Sequence, residues 1–318
     1  MRRLRLLCVS VGLILVMITG TLPWSAWITP ATAATPTVIE YFALGDSIAS
    51  GHGLADDGTD CQRSGVAYPY WAANELRSRF PAATVRFDAT RHLACSGARA
   101  TEADPSFSNP GGFLPHPSRL LRNQYAHLES ALNGIPSTTP VVVSITIGAN
   151  DLEFSSFPRN VYRGAAYSDQ QSASWASGVA SEVRSSLRDM LGELLARPNV
   201  VVVLTEVPNP LNSNSKYFGL EFLNSRWVCR VTSLFRSSDC YVKSQQVVQI
   251  MNDALWNLWY EDFDRHPRLT LTAGLENLFR SHRGPRPHCG DDAPELADTW
   301  IQVTDCVHPN LPGAQEIA

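Results

Sequence analysis

The chain has 318 residues, of which 44% are hydrophobic and 18% are charged. This apolar content excludes a globally disordered chain and a highly charged coiled coil, and the length suits one large domain or two small ones. The formal charge of −4 lacks the basic excess that binding to a phosphate backbone requires, so we expect no nucleic-acid partner.

The N-terminal segment differs in composition from the rest of the chain. Arg2, Arg3 and Arg5 precede an apolar run over residues 6–22, and the small residues 31–33 read Ala-Thr-Ala. A basic start, an apolar centre and an A-x-A site are typical of a secretory signal peptide. The alternative is an uncleaved membrane anchor, because the run is almost long enough to span a bilayer.

We therefore predict a signal peptide over residues 1–33 and a single domain over residues 34–318. The first 33 residues carry three Arg and no acidic residue, so cleavage would change the formal charge from −4 to −7. The mature protein is expected to be secreted and extracellular.

Six cysteines follow the predicted signal peptide, an even number that indicates three disulfides in an exported chain. Six cysteines allow 15 pairings. The pairing we prefer joins sequence neighbours: Cys61 to Cys95, Cys229 to Cys240, and Cys289 to Cys306. His282, His288 and Cys289 could imitate a metal site, but the glycine and prolines among them indicate a loop, and we expect no metal.

Apolar runs alternate with helical patterns along the rest of the chain. Strands are predicted over residues 38–44, 85–89, 141–147, 200–204 and 269–271. Helices are predicted over residues 67–80, 120–132, 172–196 and 241–263. Strands that alternate with helices indicate an α/β domain with a mostly parallel sheet and helices on both faces.

The residues that follow the strands carry the chemistry, because ligands bind beyond the carboxyl ends of parallel strands. The first strand is followed by Gly-Asp-Ser at 45–47, and the long central strand by Gly-Ala-Asn-Asp at 148–151. A third group, Asp-Cys-Val-His-Pro, lies at 305–309. Each group alone is a weak signal, whereas the three in this order form a constellation.

With these groups in place, the sequence resembles the SGNH hydrolases, also called the GDSL esterase and lipase family, and especially its secreted actinobacterial members. The resemblance runs from about Val38 to the end of the chain. Its four blocks are residues 42–47, 95–98, 148–151 and 305–308. It departs from the family at Arg99 and in the long segment 206–239, and the second departure leaves substrate choice open.

The resemblance implies a flavodoxin-like three-layer α/β/α sandwich with a five-stranded parallel sheet. It implies a triad in which Ser47 is the nucleophile, His308 the base and Asp305 the acid that orients the base. The implied oxyanion hole consists of the Ser47 and Gly97 backbone N–H groups and the Asn150 side-chain amide. No cofactor is implied.

The same residue types make chemical sense without the family. A serine hydroxyl is a weak nucleophile until a base takes its proton, and a neutral imidazole can do so near physiological pH. A carboxylate on the other ring nitrogen fixes the tautomer and stabilises the imidazolium. The sequence Gly-Asp-Ser-Ile-Ala at 45–49 lacks the second glycine of a nucleophile elbow, which disfavours an α/β-hydrolase fold.

Three further features have competing interpretations. His52 could reach the same cleft as an alternative base, although it lies in a Gly-His-Gly turn. Trp256, Trp259 and Tyr260 are expected in the core. The apolar segment 217–223 is either ordinary packing or a wall for an acyl chain.

The sequence thus predicts a secreted serine esterase or lipase that hydrolyses carboxylic esters. A carbohydrate O-deacetylase or a phospholipase would use the same residues, since function resides in the pocket rather than the fold. A noncatalytic extracellular binding module is the alternative of another class. We expect small-molecule or lipid esters as substrates, transient contact with lipid surfaces, and a monomer.

Overall fold

The computed structural model describes residues 36–55, 57–101, 117–153, 169–209, 239–272, 274–275 and 309–318. Within these ranges, no helix has both the length and the apolar character that crossing a bilayer requires. The predicted signal peptide lies outside the described residues.

The described strands form one parallel five-stranded sheet. In chain order they are β1 (Val38–Gly45), β2 (Thr84–Arg86), β3 (Val141–Thr146), β4 (Val200–Thr205) and β5 (Leu269–Thr272). Their spatial order is β2-β1-β3-β4-β5, which is the flavodoxin-like order. This confirms the predicted fold class.

The helices connect successive strands or follow the last one. They are α1 (Ser47–Ser50), α2 (Tyr68–Arg79), α3 (Leu121–Asn133), α4 (Asp169–Ala196), α5 (Asp239–Asn257) and α6 (Leu311–Ile317). A 3₁₀ turn over Pro117–Arg119 precedes α3, and a π-helical turn over Leu258–Asp262 follows α5.

Both faces of the sheet are covered, which gives three layers. On one face, alternate side chains of β1, β3, β4 and β5 share an apolar cluster with α3, α4 and α5. On the other face, Ile39, Tyr41 and Ala43 of β1 pack against α2. Because β1 and β3 lie inside the sheet, nearly all their side chains are buried, and both strands are mostly apolar or β-branched. The exceptions have partners: Glu40 pairs with Arg86 and Arg91, and the Ser144 hydroxyl lies 2.8 Å from that of Tyr41.

The second strand is shorter than predicted and begins one residue earlier. It spans Thr84–Arg86 rather than residues 85–89. The carboxylate of Asp88 accepts hydrogen bonds from the backbone and hydroxyl of Thr90, and this local turn withdraws the chain from the strand ladder.

The fifth helix ends earlier than predicted, at Asn257 rather than at residue 263. Trp256 and Trp259 pack against the core as expected. The expectation for Tyr260 is wrong: its side chain is 53% exposed and lies 4.2 Å from the Arg265 guanidinium. The reason is the π-helical turn, which changes the angle between successive side chains and turns Tyr260 outward.

Candidate active site

The candidate nucleophile Ser47 lies at the carboxyl end of β1, a strand inside the sheet. Asp46 caps α1 by accepting a hydrogen bond from the Ile48 N–H at 3.0 Å, and Ser47 is the first residue of that helix. The helix is one turn long and ends at Gly51, whose N–H donates to the Ser47 carbonyl at 3.0 Å. The turn that carries Ser47 is therefore held by the Asp46 side-chain cap and by backbone hydrogen bonds to the Ser47 carbonyl.

Gly45 makes the sharp exit from β1 possible. Its φ is +133°, and a Cβ built on it would lie 2.0 Å from the Thr146 carbonyl oxygen of β3. The Asp46 N–H donates to that same oxygen at 2.9 Å. No residue with a side chain fits here, because the positive φ and the close backbone approach act together.

Gln124 of α3 holds this turn by two hydrogen bonds to the Gly45 backbone. Its Oε1 accepts from the Gly45 N–H at 2.8 Å, and its Nε2 donates to the Gly45 carbonyl at 2.9 Å. The side chain is buried, where an amide with both ends satisfied rigidifies its surroundings. Sequence reasoning missed this residue, although a glutamine within the buried stripe of Leu121 and Leu128 is a recognisable signal.

Gly97, a predicted oxyanion donor, lies in a turn that is bonded to the same strand end. It has a φ of +81°, and the Cys95 N–H donates to the Gly45 carbonyl at 3.0 Å. Cys61 and Cys95 form a disulfide, one of the three pairs preferred from the sequence. The Ser96 N–H also donates to the Cys61 carbonyl at 3.0 Å, so the turn is fixed by covalent and hydrogen bonds.

Asn150 and Asp151 tie the turn after β3 to the Gly97 turn. The Asn150 Nδ2 donates to the Ala98 carbonyl at 3.0 Å. The buried Asp151 carboxylate accepts from the Ala100 and Thr101 backbone N–H groups and from the Thr101 hydroxyl. The structure thus brings the segments of Ser47, Gly97 and Asn150 together at the carboxyl ends of the strands.

The other half of the predicted site lies outside the described residues. This holds for Asp305 and His308, for Cys229, Cys289 and Cys306, and for the side chain of Cys240. The described chain resumes at Pro309, and Asn310 caps α6 by accepting from the Gly313 N–H at 3.1 Å. From this helix, Ile317 packs against the cluster of Ala49, Tyr68 and Ala94, beside the nucleophile helix.

Two histidines lie near the nucleophile turn. The ring Nδ1 of His52, the alternative base, is 2.9 Å from the Ser96 hydroxyl. Burial lowers the pKa of His92 to about 4, so its ring is neutral at physiological pH. The His92 Nε2 lies 2.8 Å from the Ala49 carbonyl and must carry the proton, because a carbonyl only accepts. His92 therefore supports α1 and was missed by sequence reasoning.

The carboxyl of Asp46 is buried next to Ser47 in the chain. Its Oδ2 has no hydrogen-bond partner. Burial raises the pKa of Asp46 from 3.8 to about 7, and the negative charge of Asp151 acts in the same direction, against the opposing N–H groups of Ile48 and Ala149. The folded protein therefore retains the Asp46 proton at pH values where the unfolded chain has lost it.

This difference predicts a pH dependence of stability. Between pH 3.8 and about 7 the folded state binds the extra proton, so the free energy of unfolding falls as pH rises through this window. Asp46→Asn retains a capping side chain without the titration. We expect its unfolding free energy, measured by urea denaturation at pH 5 and pH 8, to fall less than that of the wild type.

The control for this experiment is Asp88→Asn. Although burial opposes it, the hydrogen bonds of Thr90 and the charge of Arg91 lower the pKa of Asp88 below 3.8. Asp88 therefore titrates below the tested window, and its replacement should leave the change in unfolding free energy from pH 5 to pH 8 as in the wild type. An equal change in all three proteins would contradict the role given to Asp46.

A parallel sheet in the order 2-1-3-4-5 with Gly-Asp-Ser at the end of its first strand defines a hydrolase of the SGNH class, with a flavodoxin-like fold. The chain belongs to the GDSL-like lipase/acylhydrolase family, whose family model matches residues 43–315. It is accordingly a carboxylic ester hydrolase.

Among solved structures, the chain is similar to a phospholipase A1 from Streptomyces albidoflavus, with 18% identity, coverage of 87% of this chain and 94% of that chain, and a TM-score of 0.48. It is also similar to an extracellular lipase from Streptomyces rimosus, with 18% identity, coverage of 87% of this chain and 94% of that chain, and a TM-score of 0.47. An acetylxylan esterase from Geobacillus stearothermophilus has 16% identity, coverage of 88% of this chain and 90% of that chain, and a TM-score of 0.38. No curated protein matches the chain. Nothing about its own substrate follows from these likenesses.

Proposed function

We propose that the protein is a secreted serine esterase with Ser47 as nucleophile, His308 as base and Asp305 as the orienting acid. The observation that carries this proposal is the position of Ser47 on a tightly held turn at the carboxyl end of β1. The segments of Gly97 and Asn150 are bonded to that same edge. The packing of α6, which begins three residues after His308, against the cluster beside α1 also supports it.

In the proposed reaction, the His308 ring takes the Ser47 hydroxyl proton as the serine oxygen attacks the ester carbonyl carbon. The carbonyl oxygen becomes an oxyanion, to which the Ser47 N–H, the Gly97 N–H and the Asn150 amide would donate hydrogen bonds. Loss of one such donor typically costs about 10² to 10³ in rate. The imidazolium then protonates the departing alcohol, and water repeats the sequence on the acyl-enzyme.

Secretion is supported by the N-terminal pattern and by the disulfide between Cys61 and Cys95, since disulfides persist in oxidising compartments. A signal peptide over residues 1–33 and bridges between Cys229 and Cys240 and between Cys289 and Cys306 complete the proposal. N-terminal sequencing of the exported protein and peptide mapping without reduction test these points directly.

The proposed base predicts the pH profile of the reaction. His308 must be neutral to accept the proton, so the rate with a soluble ester should rise from acid toward neutral pH. Its apparent pKa should lie somewhat above the usual value of about 6.5, because a neighbouring carboxylate favours the imidazolium. The measurement is kcat/KM against pH with p-nitrophenyl butyrate. A maximum near pH 4 would point to carboxylate chemistry instead.

The substrate class is tested with a panel of p-nitrophenyl esters of increasing acyl length, supplemented with acetylated xylan and phosphatidylcholine. Turnover of soluble acyl esters supports an esterase. Turnover confined to acetylated sugar would favour an O-deacetylase, and turnover confined to phosphatidylcholine a phospholipase. If no ester is hydrolysed, the proposed function is wrong.

A further inference from the structure

We propose that Arg119 forms an anion subsite beside the oxyanion hole, and that the preferred esters carry a phosphate or carboxylate close to the scissile bond. This inference rests on the proposed function, because the subsite is defined by its position next to Gly97. It names the class of substrate that the site selects.

The first observation is the contact between Arg119 and Gly97. A Cβ built on Gly97 would lie 3.6 Å from both the Cδ and the Nε of Arg119, an ordinary van der Waals distance. The Cδ and Nε of Arg119 therefore lie beside Gly97, and the N–H of Gly97 is the proposed oxyanion donor.

The backbone fixes Arg119 in this place. It ends the 3₁₀ turn Pro117–Arg119, and its carbonyl accepts from the Arg99 N–H at 3.0 Å. The Arg99 carbonyl in turn accepts from the Leu121 N–H at 2.9 Å. These bonds attach the turn to the segment that follows Gly97, so the backbone of Arg119 is held close to Gly97.

The second observation is that Arg119 has no charged partner among the residues that the structure describes. Its Nε is buried without a hydrogen-bond partner, and no carboxylate in the part of the chain that the structure describes forms an ion pair with it. Other arginines are paired differently: Arg91 binds Glu40 and Asp88, and Arg184 binds Glu261 and Asp262. A buried donor without a partner is costly, and it leaves the charge of the guanidinium uncompensated beside the proposed reacting centre. Arg119 as a whole is partly exposed, so a ligand oxygen would meet the terminal guanidinium nitrogens.

The chemistry of the group selects the ligand. A guanidinium is always charged and presents its N–H donors in a fork that matches the oxygens of a phosphate or carboxylate. The N-terminus of α3 lies two residues further on, and its capping residue Leu120 makes no side-chain hydrogen bond to the helix, which adds to the positive potential. An anion bound here would lie only a few bonds from a carbonyl carbon held at Gly97.

The test compares esters that differ only in charge. One pair is 1-butyrylglycerol and 1-butyrylglycerol 3-phosphate, and the other is p-nitrophenyl butyrate and p-nitrophenyl hemisuccinate. The two pairs place the anion on the alcohol side and the acyl side, respectively. We expect the wild type to prefer the anionic member of at least one pair by about tenfold or more in kcat/KM, as a charge-assisted hydrogen bond would give.

Arg119→Gln should lower kcat/KM for that anionic ester by about 10- to 100-fold and change the value for its neutral partner by less than about threefold. Arg119→Lys should retain part of the preference, because it keeps the charge without the fork. The matched control is Arg79→Gln, which removes the same charge at the end of α2. Arg79 lies five residues before β2 begins, and therefore near the amino ends of the strands, away from the candidate site. It should behave as the wild type.

A wild type without a charge preference would overturn the subsite, as would an equal loss for neutral and anionic esters in Arg119→Gln. A binding measurement separates this failure from failure of the proposed function. In the Ser47→Ala background, 1-butylglycerol 3-phosphate should bind by calorimetry, and adding Arg119→Gln should weaken binding at least about tenfold. Binding of this kind without ester turnover would leave the subsite standing and refute the esterase, whereas absence of binding would refute the subsite.

Discussion

Replacing Ser47 with Ala is expected to lower ester turnover by about 10⁶-fold, which is the order of the loss when the nucleophile of a serine hydrolase is removed. Labelling by a fluorophosphonate should be lost at the same time, because the probe reacts with the activated hydroxyl. Folding should be retained: Ser47 is held through its backbone, with hydrogen bonds from the Gly51 and His52 N–H groups to its carbonyl. The measurements are kcat/KM with p-nitrophenyl butyrate and the circular dichroism spectrum.

The control is Ser50→Ala in the same helical turn. The buried Ser50 hydroxyl donates to the Ser47 carbonyl at 3.2 Å, and losing this bond costs about 1 kcal/mol of stability. The variant should keep most of its turnover and its labelling. If Ser47→Ala retains activity, or if the label is found on Ser50, the assignment of the nucleophile fails.

Gly45→Ala is expected to destabilise the protein by more than about 3 kcal/mol, a loss that places it among the most damaging single substitutions. Its Cβ would lie 2.0 Å from the Thr146 carbonyl oxygen, and that oxygen belongs to the backbone of β3 and cannot move without breaking the sheet. The free energy of unfolding by urea measures the effect, and reduced yield of folded protein is the accompanying result.

Gly58→Ala separates the steric clash from the backbone strain. Gly58 also has a positive φ, of +71°, but a Cβ built on it meets no atom within 4 Å. Its replacement should cost only the strain of a left-handed conformation, about 1 to 2 kcal/mol. Equal losses in the two variants would show that the contact with Thr146 does not determine the requirement for glycine at position 45.

The sheet could be predicted well from the sequence because its strands are buried on both faces. The predicted bounds of the three inner strands, β1, β3 and β4, lie within one residue of the observed bounds at each end, since buried and mostly apolar runs leave little choice of boundary. The edge strand β2 was located less well, because a polar turn at Asp88 ends it. The helix α6 was not predicted, as Pro312 and Gly313 within it give a turn-like pattern.

The candidate site could be predicted only for residues that carry a motif. Gly45, Asp46 and Ser47 form such a motif, and their position at a strand end follows from the period of the run before them. Gln124 and Arg119 act through contacts with Gly45 and Gly97 that are 79 and 22 positions distant in sequence. A glutamine in the buried stripe of α3 marks Gln124 as unusual, but the partners of both side chains depend on how α3 and its preceding turn pack on the sheet.

The order of the strands also determines when the enzyme can become active. β2 and β3 join opposite sides of β1, β4 joins β3, and β5 joins β4, so every strand pairs with one that was synthesised earlier. Assembly can therefore follow the emergence of the chain, with the N-terminal part first. Ser47 follows the first strand, and its turn is completed by Gln124 of α3 and Thr146 of β3, whereas the proposed base His308 follows the last strand. A nascent or truncated chain that ends before His308 would hold the proposed nucleophile without the proposed base, and hydrolysis is expected only once the chain has been synthesised beyond the last strand as far as His308.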